Sequence, residues 1–127
     1  MGRETIRTDD ALPAVADHRR ATVTDGLVFT IGRTALTPDW RSPADEPVDV
    51  RAGQVLENLE AVLSAADSGL DSATETTMYF ADIDDHGAVN EVYGESFDSD
   101  PPARSAVEAG NLPPGTAVEI GAVATGA

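Results

Sequence analysis

The apolar and polar positions of this chain follow two periods, and the switches between them mark its elements. Ala21-Thr22-Val23-Thr24 and Leu27-Val28-Phe29-Thr30-Ile31 are β-prone runs joined by Asp25-Gly26. That dipeptide favours a two-residue turn, so the segment predicts a hairpin. Val48, Ala52, Val55, Leu56, Leu59, Val62, Leu63 and Ala66 then recur at a helical period, predicting an amphipathic helix over Val48 to Ala66. Ser68-Gly69 is its predicted break. Thr74 to Asp82 is rich in β-branched and aromatic residues and reads as a strand. Asp84 or Asp85 can cap a second helix that carries Val89, Val92, Tyr93, Ser96 and Phe97 on one face. Ser99-Asp100-Pro101-Pro102 stops it. Ala103 to Glu108 reads as a short strand, Asn111 to Gly115 as a turn, and Thr116 to Thr125 as the last strand.

Residues 1–12 read as a flexible N-terminal tail, and residues 13–127 as one domain. The segment 36–47, with Pro38, Pro43 and Pro47, is a predicted loop. The order is β-β-α-β-α-β-β, with extra strand content near Thr34. Two αβ halves on a mixed sheet imply an α+β fold with both helices on one face. A chain of 127 residues can bury roughly two thirds of its unfolded surface. Its apolar share leans on Ala and Val, with few aromatics, so association with other copies would help bury more.

Composition changes this picture in three ways. Cysteine is absent, which excludes disulfides, thiolate catalysis and Cys-based metal sites. His18 and His86 lie far apart and show no metal-ligand spacing, so a metal site is not expected. No apolar run reaches the roughly 18 residues of a membrane span, and Met1 to Asp10 lacks the apolar stretch of a secretory signal. The expectation is a cytoplasmic protein without a membrane partner. Charge is lopsided: 23 acidic residues against eight basic ones give −15, and all eight are arginine. An acidic soluble protein is one reading. A protein of a salt-rich cytoplasm is the sharper one, because at ~1 M salt a Debye length of about 3 Å screens such self-repulsion. Either way the balance argues against broad nucleic-acid binding, which needs a basic surface.

Candidate chemistry gathers near the C-terminus. Arg104 follows Pro101-Pro102 and opens an apolar run. Arginine presents a planar, permanently charged fork that fits a carboxylate through two parallel hydrogen bonds. Without context the first reading is a surface arginine paired with one of many carboxylates. Glu119 lies inside Val118-Glu119-Ile120-Gly121-Ala122. Alternation puts Val118, Ile120 and Ala122 on one face, and Ala117, Glu119, Gly121 and Val123 on the other. A glutamate there is either solvated or, between the small Ala117 and Gly121, set on the floor of a pocket. Together the two suggest a site for a small anionic molecule with an acid/base group nearby. Ser105 has no local histidine partner, so a serine nucleophile is not expected.

The run Pro102-Ala103-Arg104-Ser105-Ala106-Val107, with Leu112-Pro113-Pro114-Gly115-Thr116-Ala117-Val118-Glu119-Ile120, resembles the C-terminal signature of the RidA family, also called YjgF or L-PSP. Gly26-Leu27-Val28-Phe29-Thr30-Ile31-Gly32, Gln54-Val55-Leu56-Glu57-Asn58-Leu59, Asp82-Ile83-Asp84-Asp85 and Val89-Asn90-Glu91-Val92-Tyr93 match in order. The resemblance spans roughly Val15 to Ala124.

The resemblance implies a chorismate-mutase-like fold, assembled as a homotrimer with sites in clefts between subunits. It implies an enamine/imine deaminase that hydrolyses 2-iminoacids or 2-aminoacrylate-type enamines to 2-ketoacids and ammonia. Arg104 would hold the substrate carboxylate and Glu119 would orient a water. The chemistry needs no metal or organic cofactor. Asn90 and Tyr93 match the family's N-x-V-Y, and read as buried helix packing with a structural hydrogen bond. Two positions depart from the family. Ile31 stands before Gly32 where a serine near the ligand is usual, and His18 stands where a tyrosine often does. His18 either replaces a hydroxyl donor or is merely exposed. These departures leave open a non-catalytic, small-carboxylate-binding regulatory trimer. A third reading, endoribonuclease or translation inhibitor, is disfavoured by the charge and by the lack of lysine or an aromatic platform.

Overall fold

The computed structural model describes residues 4–6, 21–30, 46–97, 101–112 and 116–126. Six strands, β1 (Glu4–Ile6), β2 (Ala21–Thr24), β3 (Leu27–Thr30), β4 (Ala73–Phe80), β5 (Ala103–Glu108) and β6 (Val118–Thr125), form one sheet. Its order is β1-β2-β3-β6-β4-β5. Every neighbouring pair is antiparallel except β4 and β5, which run parallel. Parallel neighbours need a crossover. Helix α2 (His86–Glu95) lies within it, after a 3-10 turn at Ile83–Asp85. Helix α1 (Val48–Ala65) joins the hairpin side of the chain to β4.

The hairpin closes as its sequence requires. Asp25 and Gly26 take φ of 52° and 78°, the positive pair of a tight turn whose twist matches the strands. Helix α1 buries Ala52, Val55, Leu56, Leu59, Val62 and Leu63, the predicted stripe, with Val48 partly buried. It ends where expected, with Ala66 as its C-cap, but the turn comes ahead of Ser68-Gly69. The chain leaves the helix at Asp67, whose φ is 58°, before it reaches Gly69. Asp67 N–H donates to the Ser64 carbonyl and Ser68 N–H to the Leu63 carbonyl, the paired bonds of a Schellman motif. Gly69 serves a different need. The Glu60 carboxylate accepts from the Leu70 N–H at 3.2 Å. A Cβ on Gly69 would lie 3.2 Å from that same carboxylate and 2.9 Å from Asp71 Oδ1.

Strand alternation sets the core. Thr76, Met78 and Phe80 of β4 and Val118, Ile120, Ala122 and Ala124 of β6 are buried on one face, beneath α1 and beneath Val89, Tyr93 and Phe97. The opposite face carries Thr77 and Tyr79 of β4, Ser105 and Val107 of β5, Glu119 and Gly121 of β6, and Phe29 of β3. No described helix covers it, and Phe29 and Val107 stay 41% and 45% exposed. The fold is therefore the expected α+β mixed sheet with two helices on one face.

One strand was not anticipated. Glu4–Ile6 lies inside the predicted tail but pairs antiparallel with β2, Thr5 opposite Thr22. Three residues are too few for alternation to register as a strand. The predicted strand content near Thr34, and most of the 36–47 loop, lie outside the described residues. Among the described residues no helix is long and apolar enough to cross a membrane.

Candidate functional site

Arg104 owes its position to a long-range register. Strand β5 runs parallel to β4, and Arg104 sits opposite Thr76. Thr76 is wholly buried on the helix side of the sheet, so Arg104 projects towards that side as well. Helix α2 meets it there. Asn90 and Tyr93, three residues apart, share one helical face. The Arg104 Nη1 donates to Asn90 Oδ1 at 2.6 Å, and the guanidinium carbon stands 4.8 Å from the centre of the Tyr93 ring. The Tyr93 hydroxyl and Thr76 Oγ1 share a 2.6 Å hydrogen bond inside the core. Phe97 packs on the same ring, centroids 4.7 Å apart. Burial pushes the Tyr93 hydroxyl above the usual tyrosine range, and nearby Glu75 adds to this. The Thr76 hydrogen bond and the Arg104 charge pull the other way. Tyr93 is therefore a neutral hydroxyl at physiological pH.

Arg104 itself is exposed, and so is Asn90. This corrects the reading of Asn90 as buried packing: its hydrogen bond goes to the arginine and not into the core. Tyr93 fits the packing reading. Thr76 was missed, because only the β4–β5 register brings it beneath Arg104. The Asn-x-x-Tyr spacing was a usable signal for the other two, since it lines them up on one face.

Glu119 lies opposite Tyr79 on β4, half-buried on the uncovered face of the sheet. Alternation along β6 places it there, as the sequence implied. Arg104 and Glu119 are thus not brought together within one chain. Their strands flank β4 on opposite sides, roughly 9–10 Å apart. Their side chains leave opposite faces. A groove beside α1, lined by Glu57, Glu60, Leu70 and Asp71, includes neither. His18, Ile31 and Gly32 lie outside the described residues. Among the described residues no cluster of His, Cys, Asp and Glu side chains could hold a metal ion.

The strand order, the two helices on one face and the exposed arginine at the head of an edge strand define an α+β protein of the YjgF architecture. The family model described as Endoribonuclease L-PSP matches residues 8–126, and the chain belongs to that family, the one that contains the RidA proteins. It is 41% identical to the RutC family protein UK114 of Drosophila melanogaster over 96% of this chain and 88% of that protein. It is 34% identical to the 2-iminobutanoate/2-iminopropanoate deaminase of Rattus norvegicus over 96% of this chain and 89% of that protein. Among solved structures, yeast Mmf1 superposes with a TM-score of 0.94 at 28% identity, covering 99% of this chain and 100% of that one. Escherichia coli TdcF with bound serine superposes with a TM-score of 0.89 at 27% identity, covering 98% and 99%.

Proposed function

We propose that this protein is an enamine/imine deaminase that releases 2-ketoacids and ammonia from 2-iminoacids. One observation carries the reading. An exposed guanidinium is held in a fixed place by Asn90 and Tyr93, ready for a planar anion. The substrate carboxylate would take two charge-assisted bonds from Arg104, which fixes the position of its C2 carbon. Glu119 would accept a proton from a water as the water's oxygen forms a bond to C2. The C=N π bond becomes a C–N single bond, giving a carbinolamine. Glu119 then returns the proton to nitrogen; as the C–N bond breaks and ammonia leaves, the hydroxyl gives its proton to Glu119 and its O–H electron pair forms the C=O bond of the ketone. A protonated imine is already electrophilic, so no cofactor is called for. The likeness to the rat deaminase supports this chemistry.

Arg104 and Glu119 leave opposite faces of one chain, so a joint site needs a second copy. We place it between subunits of a homotrimer, where the uncovered face bearing Glu119, Phe29 and Val107 of one subunit would meet the Arg104 side of the next. Phe29 and Val107 are apolar, exposed residues that such an interface would bury. Light scattering should give three times the chain mass.

The second reading is a trimer that binds small carboxylates without turning them over. The likeness to a TdcF structure with bound serine favours it. Against an endoribonuclease role stands the charge of −15. The deciding experiment is ketoacid release from imines generated in situ by an amino-acid oxidase acting on leucine or methionine. Turnover by the wild type supports the deaminase. Ketoacid binding through Arg104 without turnover supports the binding trimer.

A further inference from the structure

We propose that Tyr93 is a positioning residue for Arg104, and that the hydrogen bond between its hydroxyl and Thr76 fixes the guanidinium where a carboxylate would dock. Arg104 lies on an edge strand and is exposed, so burial of its own side chain does not restrain it. An unrestrained arginine would give up rotamer entropy on each binding event. Here two contacts hold it beforehand, and both come from α2: the Asn90 carbonyl oxygen and the face of the Tyr93 ring.

Helix α2 therefore sets where the guanidinium stands. The helix has ten residues, and the buried part of its seat on the sheet includes a polar contact, Tyr93 to Thr76 at 2.6 Å. Thr76 is wholly buried and Tyr93 nearly so. A valine and a phenylalanine would fill the same space without two hydroxyls to desolvate. Replacing both partners of a buried hydrogen bond by apolar groups is often close to neutral for stability. Core packing alone thus gives no reason for the pair. What the bond adds is direction. Apolar packing lets a ring slide, whereas a short hydrogen bond at its para position sets how deep the ring sits. Thr76 is also the register partner of Arg104 itself. The loop is closed: β4 holds Tyr93, Tyr93 carries the guanidinium, and the guanidinium springs from the β5 residue beside that threonine.

The inference rests on Arg104 as the carboxylate ligand, but part of its test does not. The variants are Tyr93→Phe, Thr76→Val, the pair together, and Thr76→Ser, which keeps the hydroxyl. The first readout is the order of the Arg104 Nε–H vector by 15N relaxation. The second is 2-ketobutyrate affinity by calorimetry. Each single hydroxyl deletion should lower that order and weaken binding about five- to tenfold, the scale of one lost hydrogen bond. The double variant should match the singles, because both hydroxyls act through one bond. Thr76→Ser should keep most of the affinity. Lower melting temperatures with Arg104 order and affinity unchanged would overturn the proposal and leave the pair a packing feature. If the wild type binds no ketoacid, the ligand reading of Arg104 fails, and the order measurement alone decides the positioning claim.

Discussion

Replacing Arg104 tests the proposed carboxylate site at its central contact. In the resting chain the guanidinium donates one 2.6 Å bond to Asn90 and lies over Tyr93. Exposed contacts of this kind are worth about 0.5–1 kcal/mol each, so Arg104→Ala should cost the fold roughly 1–2 kcal/mol and leave it intact. The effect on substrate is larger. Two charge-assisted bonds at about 1.5–3 kcal/mol each give roughly 3–6 kcal/mol, or a 10²- to 10⁴-fold loss in kcat/KM. Lysine keeps the charge but loses the fork. Arg104→Lys should retain about half of that binding energy and lose roughly ten- to a hundredfold. The assay follows ketoacid release from oxidase-generated imines of leucine and methionine, with circular dichroism melts beside it. Wild-type turnover in a folded Arg104→Ala protein would refute the placement of the site.

Other outcomes follow from single residues. Glu119→Gln should bind 2-ketobutyrate as the wild type does in calorimetry but turn over at least tenfold more slowly, because an amide holds a water without taking its proton. Asp67→Gly should stabilise the chain by about 0.5–1 kcal/mol in urea titration, since it removes both a Cβ at positive φ and a negative charge from the C-terminus of α1; a destabilised variant would contradict that account of the turn. Thermal melts from ~0.1 M to above ~1 M salt should rise as screening relieves the repulsion of −15 charges. A flat or falling curve would remove the salt-adapted reading.

Local signals made most of the fold legible. The Asp25-Gly26 turn, the stripe from Ala52 to Leu63 and the strand Ala103–Glu108 each announce themselves within a few residues. Features that depend on distant partners did not show. Glu4–Ile6 becomes a strand only because β2 offers it an edge. The turn that follows helix α1 is made by Asp67, a residue that tolerates positive φ without advertising it as glycine does. The site divides in the same way. Alternation along β6 reveals the face of Glu119. The face of Arg104 depends on its register with Thr76, and the exposed, arginine-bound state of Asn90 follows from it. Separately, Arg104 and Glu119 look like neighbours in sequence; the sheet puts them on opposite sides.

Subunit complementation tests the central claim, that Arg104 of one subunit and Glu119 of the next share a site. Arg104→Ala and Glu119→Gln proteins, each nearly inactive, are unfolded together, refolded as a one-to-one mixture, and assayed for ketoacid release. In a closed ring with head-to-tail interfaces, an interface is intact when the arginine comes from one variant and the glutamate from the other. Random assembly makes that so at about one interface in four. The account predicts a rise to roughly a quarter of wild-type activity. A mixture that stays as inactive as its parents, with mixed trimers verified by differently tagged subunits, would contradict it.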